Sequence, residues 1–203
     1  MKKLYQQALF LSLFTIIYNV LEGLVSMFFG YKDETLSLFG FGIDSFIEVL
    51  SGIGILLMVL RIRKNPDDSV HSSEVTALKI TGYSFYGLSL GLLAGGIISL
   101  IQHHKPVTTL WGIIIALISI VVMSWLALSK LRVGKKLDSA PIIADAGCTK
   151  VCIYMSLVLL AASLIYQFSG FAWADVIGAA GLIWFSFSEG HEALEKSEEL
   201  IPS

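Results

Sequence analysis

Long apolar runs alternate with short polar breaks along this chain. The runs cover about 8–30, 36–62, 78–101, 108–128, 141–168 and 174–190. A helix that crosses the hydrocarbon core needs roughly 20 mostly apolar residues. The runs meet or approach that length, so the pattern predicts six transmembrane helices. The breaks are Tyr31-Lys32-Asp33-Glu34, a longer polar stretch from Asn65 to Thr76, Gln102-His103-His104-Lys105-Pro106, a basic loop with Lys130, Arg132, Lys135 and Lys136, and a tight turn from Ser169 to Trp173. The predicted fold class is an all-α integral membrane protein. A single transmembrane domain is expected over 1–203, with no soluble domain.

Composition agrees with this pattern. Of 203 residues, 55% are hydrophobic and only 15% are charged, whereas a soluble domain carries about a quarter charged residues. Too few charges remain to coat a globule in water. The net charge of −2 and the lack of a basic stripe exclude nucleic acid as a partner. Met1-Lys2-Lys3 followed by an apolar run has the look of a signal peptide. Asn19 and Glu22 within that run, and the lack of a small-x-small cleavage pattern, favour an uncleaved first helix.

Charge also sets the expected orientation. An even number of spans puts both termini on one side. That side collects Lys2, Lys3, Arg61, Arg63, Lys64, Lys130, Arg132, Lys135, Lys136 and Lys196, against Lys32 and Lys105 on the other. The positive-inside rule then makes both termini cytoplasmic. In a prokaryote the protein is expected in the plasma (inner) membrane. Gly87, Gly91 and Gly95 share one face of the third span. Small residues let helices approach closely in lipid. An internal packing seam is the expected use of this face, with a homodimer contact as the alternative.

The chemistry lies in polar residues within the spans, where charge is costly and is usually retained for function. Asp44 and Glu48 in the second span are four residues apart, so they stack on one helix face with about 6 Å between their α-carbons. Two carboxylates so placed in hydrocarbon must hold a proton or share a cation. Cys148 and Cys152 repeat the spacing in the fifth span. A disulfide between them would strain the helix. If the two faces meet, two carboxylates and two thiols make a tetrahedral site, and thiolate sulfur selects zinc and softer ions over magnesium or calcium. The plain alternative for the cysteines is that of small buried hydrophobes. Lys150 lies across the helix from them, placed to snorkel or to pair with Asp145. Asn19 and Glu22 are candidate pathway residues, although an interhelical hydrogen bond explains Asn19 as well.

Taken together, these residues give a pattern that resembles the cation diffusion facilitator family of zinc and divalent-cation transporters. The match runs through Gly42-Ile43-Asp44-Ser45-Phe46-Ile47-Glu48 and Ala144-Asp145-Ala146, with Gly23, Ser26 and Asp175 also similar. Cys148 falls where the family has His and Cys152 where it has Asp. Glu48 stands where the family usually has Asp. The Cys pair softens the site and admits cadmium or another soft metal beside zinc. The family usually adds a cytoplasmic domain after the sixth helix, and the chain is similar to a subset that lacks it. The segment Pro66-Asp67-Asp68-Ser69-Val70-His71-Ser72-Ser73-Glu74 is similar to a family loop motif, so Asp68, His71 and Glu74 form a candidate second metal site. A solvated loop explains them equally. His103-His104 is a weaker metal candidate, and Glu189, His191 and Glu192 read as a solvated helix end.

The resemblance implies a transporter, not an enzyme, with no resident cofactor. It would export a divalent transition metal, zinc first, in exchange for protons, as a homodimer formed through its membrane helices. A membrane metal sensor that binds without turnover is the alternative. A thiol redox protein is disfavoured by the four-residue Cys spacing.

Overall fold

The computed structural model describes residues 2–32, 36–64, 70–101, 110–169 and 173–200. Six α-helices account for these: α1 (Lys2–Lys32), α2 (Leu36–Lys64), α3 (Val70–Ile101), α4 (Leu110–Leu137), α5 (Ala140–Ser169) and α6 (Trp173–Glu199). Among the described residues, five helices, α1 to α5, are long and apolar enough to cross a membrane. The chain is an all-helical, multi-pass integral membrane protein.

Helix α1 shows how lipid inverts the usual pattern. Ser12, Thr15, Asn19, Glu22 and Ser26 recur at three- and four-residue spacing and are all buried, while Phe10, Leu13, Ile17, Leu21, Leu24 and Phe28 face outward. One helix face is therefore polar and turned into the bundle. The hydroxyls of Ser12 and Thr15 donate back to Leu9 O and Leu11 O at 3.0 and 2.8 Å. Such local bonds occupy these two donors in a low dielectric. The same outward apolar face recurs on the other helices, for example at Leu50, Leu57 and Leu60 of α2 and Leu117, Val121 and Leu128 of α4.

Helix α1 packs along α2 and α4, and α2 also meets α3 and α5. Helix α5 touches α2, α3, α4 and α6, while α3 lies against α6. Helices α1 and α2 approach tightly at Gly23 and Gly42, where a Cβ added to Gly42 would lie 2.8 Å from Gly23 O and 2.9 Å from Met27 N. Only glycine permits that approach, which fixes the rotation of α2 two residues before Asp44. Gly87, Gly91 and Gly95 differ from the expected internal seam: nothing lies within 4 Å of an added Cβ at any of them. The internal seam is carried instead by Gly23 with Gly42, and by Gly82 with Gly190, where an added Cβ on Gly82 would sit 3.1 Å from Gly190 O.

Helices α4 and α5 form a tight hairpin. Asp138 takes a left-handed conformation, φ 52°, and Ser139 N donates to Gly134 O at 3.0 Å. This is the bond pattern of a Schellman helix stop. Ser139 then caps α5, accepting from Ile143 N at 3.2 Å through its carbonyl. Pro141 falls in the first turn of α5, where its missing N–H has no helical partner to lose. The predicted basic loop after residue 128 is therefore helix as far as Leu137. Likewise α3 starts at Val70 within the expected polar loop, and the acidic tail continues α6 to Glu199.

Two apolar clusters bracket a polar layer. One joins Leu11, Met58, Val59, Met123, Leu126 and Ile142. The other joins Phe41, Phe85, Leu88, Val151, Met155 and Leu182. Along α2, the buried residues between the two clusters are led by Asp44, Ser45, Glu48 and Ser51.

Candidate metal site

Helix α2 brings Asp44 and Glu48 to its buried face at a spacing of one turn, and α5 does the same for Cys148 and Cys152. The α2–α5 contact sets these faces against each other. The Cys152 thiol lies 2.9 Å from Glu48 Oε2 and 3.3 Å from Asp44 Oδ2, within hydrogen-bonding reach of both carboxylates. Asp44, Glu48 and Cys152 thus converge. Cys148 is buried one turn away among Phe85, Leu88 and Val151, and its thiol has no hydrogen bond to the carboxylates among the described residues.

Among the described residues, no group of three or more His, Cys, Asp and Glu side chains stands ready as a metal cage. A tetrahedral zinc ion with ordinary Zn–S and Zn–O bonds holds sulfur and oxygen about 3.6 Å apart, wider than the 2.9 Å between Cys152 Sγ and Glu48 Oε2.

The second oxygen of Glu48 belongs to a different network. Thr149 donates to Glu48 Oε1 at 2.5 Å, and Lys130 Nζ donates to Thr149 Oγ1 at 2.8 Å. Lys130 also pairs with Asp145 Oδ2 at 2.8 Å and stands 3.7 Å from Glu48 Oε1. Ser51 donates to Asp145 Oδ1 at 2.7 Å and lies 3.1 Å from Thr81 Oγ1. Lys130 is only 1% exposed. The basic loop expected around Lys130 is helix instead, because α4 runs on past it, and the pairing with Asp145, one of two uses expected for Lys150, is made by Lys130. Lys150 is half-buried on the side of Glu189 of α6, close enough to act on it electrostatically. A signal for Lys130 was present: it continues the buried face of α4 that runs through Ser119, Met123, Leu126, Ala127 and Val133.

Glu22 on α1 adjoins the site from the other side. It accepts from Tyr18 OH at 2.9 Å and from Ser45 Oγ at 3.1 Å, beside Asp44. Asn19 donates to Thr15 O at 3.0 Å, and its Oδ1 is buried without a hydrogen-bond partner among the described residues. Of the candidate second site, Asp68 lies outside the described residues. His71 falls in the first turn of α3, its side chain outside them too. Glu74 accepts from Ser139 at the α4–α5 turn, 3.4 Å away. His103 and His104 lie outside the described residues, as does the side chain of Asp175.

Compared with known protein families, residues 12–200 match the cation efflux transmembrane domain. This chain belongs to the cation efflux family. The family is one of membrane transporters, not of enzymes. An uncharacterized transporter of Methanocaldococcus jannaschii is 30% identical over 174 residues, which make up 83% of this chain and 60% of that protein. The manganese efflux system protein of Bacillus subtilis is 29% identical over 203 residues, 94% of this chain and 67% of that protein. The chain thus spans about 60% of the length of the archaeal relative. In this cation efflux domain the site above is the buried polar centre where α2 and α5 meet.

Proposed function

We propose that this chain exports a divalent transition-metal ion, zinc before manganese, in exchange for protons. The observation that carries this reading is the convergence of one thiol and two carboxylates, Cys152 with Glu48 and Asp44, between two membrane helices. Asp44, Glu48 and Cys152 are the primary ligands, with Cys148 one turn along the same helix as the fourth donor. Protons held by these groups must leave when an ion enters, so binding releases protons and proton entry from the far side expels the ion. Glu22 and Asn19 line the approach from α1.

Sulfur in the ligand set favours zinc and cadmium over manganese. The Bacillus relative is named for manganese efflux, so manganese is the competing cargo to test. Both termini face the cytoplasm in this reading. The positive charges that support it survive the removal of Lys130 from the count. A homodimer forms through α3, supported by the open surface over Gly87, Gly91 and Gly95 beside exposed Leu90 and Ile98.

The test is flux of zinc and manganese into proteoliposomes containing the full chain, with internal pH recorded. Asp44→Ala is expected to abolish flux while the protein elutes as a folded species. Full flux in that variant, or ion binding by the wild type without any flux, would reject export. The second of those results is what a sensor would give.

A further inference from the structure

Glu48 is divided between two partners. One oxygen faces Cys152 at 2.9 Å and the other faces Thr149 and the Lys130 ammonium. We propose that Lys130 is a tethered counter-cation of the carrier: it neutralises Glu48 in the ion-free state and yields Glu48 to the metal ion, while Asp145 keeps it anchored. This rests on the assignment of Asp44, Glu48 and Cys152 as the ion site.

A carrier that delivers its cargo must return without it. Asp44, Glu48 and Asp145 are buried together in the bundle, and charge in such surroundings is costly unless another charge answers it. An ammonium on the flexible four-carbon stem of lysine can shift between partners without leaving the protein. Its anchor is well made. Asp145 receives Lys130 at 2.8 Å and Ser51 at 2.7 Å, so the ammonium retains a full partner when Glu48 turns to the ion. The link to Glu48 is looser, a 3.7 Å ion pair bridged by the Thr149 hydroxyl. A purely structural pair between Lys130 and Asp145 would not need that bridge. The arrangement makes Lys130 a positioning residue that sets how tightly the ion is held and how fast the empty carrier returns.

The two roles predict opposite signs. If Lys130 only held Glu48 in place, its loss would weaken ion binding. A competing cation does the reverse: with Lys130→Met, zinc binding to the purified full chain is expected to tighten about tenfold, since a like charge beside a ligand has gone. Zinc-for-zinc exchange across proteoliposomes is expected to persist, and net zinc flux to fall about tenfold because the empty carrier stalls. Lys130→Arg is expected to restore net flux. The double variant Lys130→Met with Asp145→Asn removes the buried pair as a unit, so it reports even if the single variant does not fold. It is expected to show the same split between exchange and net flux. Weaker or unchanged zinc binding, exchange and net flux falling together, or wild-type net flux in the double variant would each overturn the proposal. Zinc binding unaffected by Asp44→Ala would instead reject the ion site itself, and the counter-cation with it. Manganese ions are run in parallel and read by the same criteria.

Discussion

Cys152 of α5 donates its thiol hydrogen to Glu48 of α2 across 2.9 Å. Cys148, on the same helix and equally buried, instead sits among Phe85, Leu88 and Val151. Two cysteines that look equivalent at four-residue spacing are thus unequal in the folded bundle. Cys152→Ser is expected to weaken zinc and cadmium binding at least about tenfold, with manganese binding changed much less, because only the softer ions gain from sulfur. Cys148→Ser is expected to cost less than Cys152→Ser. Competition titrations with a metal-chelating dye check both. A reversed order would show that the ion sits nearer Cys148, and equal losses that the two thiols are equivalent.

The Gly23–Gly42 crossing places Asp44. A methyl group on Gly42 would meet Met27 Cγ at 2.6 Å, Gly23 O at 2.8 Å and Met27 N at 2.9 Å. Backbone atoms cannot swing aside as a side-chain tip can, so the helices must part. Gly42→Ala is expected to cost about 1–3 kcal/mol, the usual penalty of overpacking, and to weaken metal binding because α2 is displaced beside its ligands. A thermal midpoint in detergent that matches the wild type would show that the crossing yields freely.

Asp138 ends α4 in a left-handed conformation that costs an L-residue roughly 1 kcal/mol and glycine almost nothing. Asp138→Gly is therefore expected to stabilise the chain by up to about 1 kcal/mol and leave flux unchanged. Asp138→Val should destabilise it, since a branched side chain is least tolerated there. Paired thermal melts decide this, and a glycine variant less stable than the wild type would refute it.

The open face of α3 yields a prediction for assembly. Gly91→Trp fills a surface where an added Cβ meets nothing within 4 Å, so the single chain should fold as before. If α3 is the dimer contact, the variant is expected to run as a monomer by light scattering in detergent where the wild type runs as a dimer. An unchanged dimer would move the contact elsewhere.

The sequence by itself determined the helices and the medium. Lipid forces each backbone to satisfy its own hydrogen bonds, so length and apolar content are enough to mark the spans. The four-residue spacing of Asp44 with Glu48 and of Cys148 with Cys152 put each pair on one helix face without reference to any partner. Helix ends were less legible. Leu137 and Val70 lie beyond the apolar runs, and what stops or starts the helix there is local, as with the turn at Asp138.

Only the tertiary structure decided which faces meet. Periodicity marks one side of a helix as different but does not say what that side touches. Lys130 looked like one more cytoplasmic charge until the rotation of α4 against α5 carried it to Asp145, Thr149 and Glu48. The setting of α5 against α2 likewise made Cys152 and Cys148 unequal, and the close passage at Gly23 and Gly42 fixes α2. These are results of side-chain volumes packed between different helices, a property that no single stretch of chain contains.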